Sequence, residues 1–357
     1  MAGKQPINQL YILRFLGAII VVAHHYGKHL FSNSGMLFEL INNAGFILSF
    51  FFALSGYVIG YNYFEIERFS RHRFMVRRMA RLVPLYLFAF TVTLISAMIL
   101  QNAYPRGLNI ILQALCVHAW FPSMVLNINY PSWSVSVELF FYFLFPLLVI
   151  WMGKHSFKWF LAISGLIWLV SSAQHLIFEE FIYDPNAKWT SEFILYFPIW
   201  HINSFLAGMA GAEIFKRIQT TKIPKLIPPV VGILAASSIV QITGTDNFIR
   251  PHIHNGLLSP IIIIMLVAFS LDRSFLGKFM ASRPMVFLGN LTYAIYILQH
   301  AVYLWTAYIL DVDTFDRTQF AIYIVALLVI SVLVYKLYEA PARDWIVKKG
   351  DVKLRTA

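Results

Sequence analysis

Charge is scarce in this chain: 13% of its 357 residues are Asp, Glu, Lys or Arg, while 59% are apolar. An ordinary soluble domain carries about a quarter charged residues, so this shortage excludes a protein whose whole surface meets water. Cysteine is nearly missing as well. Cys116 stands alone, which excludes an intramolecular disulfide, a thiolate metal cluster and a paired redox motif; no metal site is expected. Linkers, low-complexity tracts, internal repeats and polar stretches long enough for a soluble domain are also lacking. The expected organisation is one membrane-embedded domain over 1–357.

What the chain has instead is apolar runs from end to end, several of them about 20 residues long, the length a helix needs to cross a bilayer. We read ten spans: 10–29, 44–64, 82–101, 137–153, 159–177, 196–215, 226–242, 256–271, 286–310 and 319–337. The apolar run 108–121 is too short to cross. With Pro105, Pro122 and Pro131 around it, the segment 102–133 is expected to dip into the membrane or lie on it, roofing a cavity. The fold class is therefore all-α, a polytopic transmembrane helix bundle.

The formal net charge is +11, and its placement decides what it means. With the N-terminus inside, only Arg106, Lys188, Arg250 and Arg317 fall in outer loops, and Arg14 and Lys28 fall within the first span. All the other Lys and Arg of the 28 collect on the inner side, among them Lys4 and the six arginines from Arg68 to Arg81. This positive-inside asymmetry puts both termini in the cytoplasm. The excess charge then serves topology and adhesion to anionic lipid headgroups, and nucleic acid is excluded as a partner. The first run carries Arg14 and two histidines and is followed by no small-residue cleavage site, so it is expected to stay as a span.

An ionisable group inside a span costs roughly 2.5–3.5 kcal/mol at mid-helix, so each one asks for a reason. Arg14 and His25 are eleven residues apart, which on a helix is about 20° from one face and roughly 16 Å along the axis. They line one stripe at two depths, suited to a molecule threaded between the two sides. His24, about 80° off that stripe, is the weaker candidate. The alternative is structural: Arg14 snorkels to headgroups and His25 bonds a neighbouring helix.

Further along, the Ser55-Gly56 pair suits close helix approach or entry of a ligand chain. Arg77, Arg78 and Arg81 precede Pro84 at the mouth of the third span; Arg78 and Arg81 share a helix face, a geometry for gripping phosphate. Glu138 lies in the first turn of the fourth span, either balancing the helix dipole or orienting the His25 imidazole from the same outer depth. In the ninth span Tyr293, Tyr296 and His300 share a face at three- and four-residue spacing, where packing is an equally good account.

These pieces together resemble the acyltransferase-3 family of integral membrane acyltransferases, many of which decorate cell-surface glycans. The resemblance rests on Arg14 followed by His25, the stretch from Phe51 to Gly56, Arg78 with Arg81 ahead of Pro84, the segment from Trp133 to Tyr142, that from Gly289 to His300, and the closing Tyr338 to Arg343. Leu139 stands where many members have a second acidic residue, and Ala53 replaces a bulkier one.

The resemblance implies an acyl donor, usually acetyl-CoA, approached from the cytoplasm as a co-substrate, with no permanently bound cofactor. It also implies an acceptor hydroxyl, on a glycan or similar molecule, acylated toward the outer side of a bacterial cytoplasmic membrane. His25 would be the catalytic histidine, Glu138 its carboxylate, Arg14 a holder of donor or geometry, and Arg78 and Arg81 the ligands of the donor's phosphates. Some relatives carry a C-terminal hydrolase-like domain, and none is expected within these 357 residues. General-base transfer by neutral His25 and a covalent acyl intermediate on it both satisfy the sequence. The rival class is a secondary transporter of a lipid-linked or glycan substrate, since many carriers have ten spans with intramembrane Arg and His.

Overall fold

A computed structural model describes residues 7–31, 35–63, 69–244 and 254–356, and among them there are helices and turns but no strand. Lys4, Arg68 and Arg250, which entered the charge count, lie outside the described residues.

Helix α1 runs Gln9–Tyr26 and stops at Gly27, whose N–H still bonds Ala23 O. It therefore ends before Lys28, placing His24 and His25 in its last turn. After the short α2, Met36–Asn42, comes α3, Phe46–Tyr63. Helix α4 spans Arg71–Leu100, opened by Ser70, whose side chain accepts from Arg73 N. It is 30 residues long, about 45 Å, well beyond the roughly 30 Å of a hydrocarbon core. The predicted span 82–101 is thus only its second part. Arg77, Arg78 and Arg81 belong to the helix itself rather than to a loop, because nothing between Ser70 and Pro84 breaks a helix.

Helices α5, Gly107–Ala114, α6, Trp133–Lys154, α7, Phe157–Phe181, α8, Lys188–Tyr196, and α9, Ile202–Ile218, follow. Then come α10, Ile227–Thr243, α11, Ser259–Leu271, and α12, Phe275–Met280. Helices α13, Arg283–Asn290, and α14, Thr292–Leu310, meet at a 46° bend. Helix α15, Arg317–Val334, starts with a reciprocal cap between Asp316 and Gln319. A π-helical turn, Tyr335–Glu339, joins it to α16, Ala340–Thr356.

Among the described residues seven helical segments are long and apolar enough to cross a membrane, eight if the bent pair α13–α14 is one span. Each of the ten apolar runs contains a helix, but α10 has 17 residues and α11 only 13, about 26 Å and 20 Å. Both have proline in the first turn; α10 is as long as its apolar run, whereas α11 starts three residues after its run begins and is shorter by that much.

Helices α3 and α9 form the centre. A Cβ on Gly56 would lie 2.0 Å from Phe205 O, and one on Gly208 would lie 1.8 Å from Ala53 O. Only glycine permits that approach, the small-residue contact by which helices associate in lipid. Phe141 stacks on Phe205 at 4.6 Å beside it. The opposite kind of surface covers α7 and α15, where Leu166, Leu169, Val325 and Val329 are more than half exposed. Apolar side chains in bands of that extent are covered by lipid, and the protein is an integral membrane protein.

Candidate functional site

Two cavities lie one beyond the other along α1, α3 and α14. The larger, about 790 Å³, is lined by His24, His25 and Lys28 with Tyr130, Trp133, Tyr196, His254 and Tyr296. The smaller, about 100 Å³, is lined by Arg14, Ser55, Arg78, Arg81, Glu138, Tyr142, Tyr293 and Tyr296. The eleven-residue stripe of α1 therefore does open at two depths, His25 into the large cavity and Arg14 into the small one.

His25 Nδ1 lies 2.8 Å from Gln299 Oε1. The amide has one orientation only, because Gln299 Nε2 donates to Tyr296 O at 2.7 Å. An amide oxygen cannot donate, so Nδ1 carries the ring proton and Nε2 keeps the lone pair. The sequence offered Glu138 for the orienting role; in this structure it is Gln299 that meets His25 Nδ1. Glu138 sits deeper, where its Oε1 accepts from Tyr142 OH at 2.5 Å and from Ser55 Oγ at 3.2 Å. A Glu six residues into α6 lies more than a turn below the level of Trp133 and faces the arginines.

Aromatic rings frame His25. Tyr130 meets its ring edge-on at 4.9 Å, and His300 both contacts Tyr130 at 5.0 Å and bonds Tyr26 OH through Nδ1 at 3.2 Å. His24 is pinned by Nδ1 to Ile41 O at 2.7 Å, a structural use of the weaker histidine. The segment 102–133 forms part of the roof, as expected. It is held from beneath by Asn129 Nδ2 donating to Ile297 O, and by Gln113, Ser132 and His118 bonded to one another. Burial keeps His118 neutral, with its pKa lowered to about 3, and lowers that of His254, stacked on Trp133 at the cavity wall, to about 4.

At the other depth Arg78 and Arg81 share the face that their spacing predicted, and Arg14 lines the same cavity. The Arg78 guanidinium lies 5.4 Å from the Tyr63 ring, 5.7 Å from Phe74 and 5.9 Å from Tyr142, a cation held by π faces. Its buried Nε has no hydrogen-bond partner among the described residues. A buried donor left open in a cationic cavity fits an anion such as a phosphate oxygen. The Ser55-Gly56 ambiguity resolves by residue: Gly56 packs against α9, while Ser55 bonds Glu138 in the cavity.

Sequence reasoning missed Gln299, Tyr142 and Glu339. Gln299 was legible as an amide in an apolar helix, one turn past Tyr296. Glu339 is buried in the π turn, close enough to Arg81 and Arg14 to feel their charge; its only sequence signal was an acidic residue closing the last apolar run. Tyr293 and Tyr296 bond Leu82 O and Pro131 O, so that face of α14 is anchored at both neighbours. Among the described residues no group of His, Cys, Asp and Glu could hold a metal ion.

A family model for an acyltransferase domain, Acyl_transf_3, matches residues 7–336. The acyltransferase MdmB of Streptomyces mycarofaciens is 32% identical over 145 residues, which cover 38% of this chain and 37% of that protein. The peptidoglycan O-acetyltransferase OatA of Listeria monocytogenes is 26% identical over 362 residues, 93% of this chain and 55% of OatA. The putative peptidoglycan O-acetyltransferase YrhL of Bacillus subtilis is 24% identical over 335 residues, 84% of this chain and 51% of YrhL. The chain thus spans about half the length of the two relatives that align along most of it. No solved structure matches the chain.

Proposed function

The chain belongs to the acyltransferase-3 family, and from that membership we propose that it moves an acyl group, acetyl first of all, from cytoplasmic acyl-CoA to a hydroxyl of a cell-surface glycan. The observation that carries the reading is His25, which lines the large cavity with Nδ1 tied to Gln299 and Nε2 left as a base.

In the proposed reaction the acceptor O–H gives its proton to His25 Nε2 as the oxygen attacks the thioester carbon. The C–O bond forms, the C–S bond breaks, and the CoA thiolate leaves and takes up the proton that His25 received. Gln299 holds the tautomer. Arg78 and Arg81 grip the phosphates of the donor, and Arg14, balanced by Glu138, steadies the cationic cavity through which the thioester enters. Tyr130 and Tyr196, which are only partly buried, offer aromatic surface against which a sugar ring packs. Relatives named for peptidoglycan O-acetylation make that polymer the first acceptor to try.

The topology follows the same reading. The arginine end faces the cytoplasm of a bacterial inner membrane and the His25 end faces out. Ten crossings are reached when α10, α11 and the bent pair α13–α14 are counted with the seven long segments, and an even number returns both termini to the cytoplasm.

The test incubates purified protein in nanodiscs with radiolabelled acetyl-CoA and glycan fragments. Label covalently attached to the glycan, and lost in His25→Ala, supports transfer. Label carried across a sealed vesicle without covalent attachment would favour a transporter instead.

A further inference from the structure

The two cavities share two lining residues, Leu48 and Tyr296. Both are buried, each 7% exposed, and together they stand between the arginine cavity and the one that holds His25. Tyr296 is fixed at its far end, its hydroxyl accepting from Ser134 Oγ at 2.8 Å and donating to Pro131 O at 2.9 Å. Its ring meets Phe51 edge-on at 6.2 Å. Leu48 is held only by packing. It begins a line of residues on one face of α3, continued a turn at a time by Phe51, Phe52 and Ser55, that lines the small cavity.

A thioester whose phosphates rest on Arg78 and Arg81 can meet His25 only by passing this wall. The base itself is set by the same helix one turn away, since Gln299 holds His25 and bonds Tyr296 O. A group waiting for attack at His25 therefore has its carbonyl at the constriction, and any carbons beyond the carbonyl must find room against Leu48 and Tyr296.

We infer that Leu48 and Tyr296 form the constriction between donor and acceptor cavities, and that the volume of Leu48 restricts the transferred group to a short acyl chain. Tyr296 is the anchored side of the opening and Leu48 the side that sets its width. The inference rests on the acyl-transfer reading above and adds to it what the donor's acyl group is allowed to be.

The experiment measures transfer from acetyl-, butanoyl- and hexanoyl-CoA to glycan fragments by the nanodisc-embedded protein, scored by mass spectrometry of the product. Wild type is expected to prefer acetyl. Leu48→Ala should raise the butanoyl-to-acetyl ratio by about tenfold or more, the usual worth of a methylene or two in an apolar pocket. The ratio is taken within one sample, so loss of folded protein cancels. Leu48→Val, a smaller change that keeps the helix packed, should move the ratio the same way by less. Tyr296→Phe keeps the ring and so the width; it should slow turnover while leaving the ratio as in wild type.

An unchanged ratio in both Leu48 variants, with acetyl transfer intact, overturns the constriction and leaves the enzyme reading standing. Equal use of all three donors by wild type does the same. Absence of transfer from any acyl-CoA by wild type overturns the enzyme reading, and this inference falls with it.

Discussion

The His25 cavity and the arginine cavity are neighbours built on opposite principles. The first is wide and ringed by aromatic side chains, and its central histidine is oriented by a neutral amide. The second is small, lined by three guanidinium groups and by Glu138, with the Arg78 guanidinium over aromatic faces. A neutral holder suits a base that must accept a proton, because an amide fixes the tautomer without drawing the proton toward itself. A charged cavity suits an anionic ligand, because cations left short of counter-charge attract one. The two halves of the proposed reaction are thus served by separate environments whose chemistries would conflict if merged.

The sharpest way to break that separation is to remove the base. His25→Ala should lower transfer by about 10²- to 10⁴-fold, the usual contribution of a positioned general base, while acetyl-CoA binding measured by calorimetry stays at the wild-type level. Loss of donor binding in that variant would mean that the two cavities are one site.

Removing the phosphate grip should show the opposite pattern. Arg78→Ala and Arg81→Ala should each raise KM for acetyl-CoA by about tenfold or more, the worth of a charge-assisted hydrogen bond of roughly 1.5–3 kcal/mol. Arg78→Lys should recover little, since an ammonium cannot reproduce a planar fork stacked among aromatic rings. A change confined to kcat would place these arginines in the chemical step instead.

A smaller effect should follow from the holder. Gln299→Leu leaves the ring free to rotate or change tautomer and is expected to reduce kcat by about tenfold with KM for the donor unchanged. Gln299→Glu restores an acceptor and recovers part of the rate, but moves the acid limb of the kcat profile upward, because a carboxylate beside the ring favours imidazolium. A variant that moved only stability would make Gln299 a packing residue.

The mildest test concerns His254, whose pKa is lowered to about 4 by burial. The unfolded chain binds that proton near the ordinary value of about 6.5. Stability is therefore complete above about pH 6.5 and is lost as pH falls toward 4. His254→Gln should flatten part of that decline in melting temperature between pH 7 and pH 4.5, and an unchanged slope would assign the decline to other groups.

The structure also shows where sequence reading stops. Arg78 and Arg81 were legible because helical spacing is local, and residues three positions apart on a helix share a face. The pairing of His25 with Gln299 joins residues far apart in the chain, and no periodicity within either helix announces which amide meets which ring. Glu138 shows the same limit from the other side. Its distance from the start of α6 was readable, but whether it faced the base or the arginines depended on how α6 packs beside α3, where Ser55 waits for it.

By itself the sequence determined that the chain is a helical membrane protein, where its apolar runs lie, that Arg14 and His25 form one stripe at two depths, and that basic residues crowd one end. These are properties of composition and of a helix's own repeat, which the bilayer enforces because every backbone polar group must be satisfied within its own helix. Only the tertiary structure decided how long the helices are, that the stripe opens into two cavities, that an amide rather than a carboxylate holds the base, and that Leu48 and Tyr296 divide the space between. Those depend on which helix faces meet, and in lipid that is settled by close packing at positions such as Gly56 and Gly208, whose partners no single segment contains.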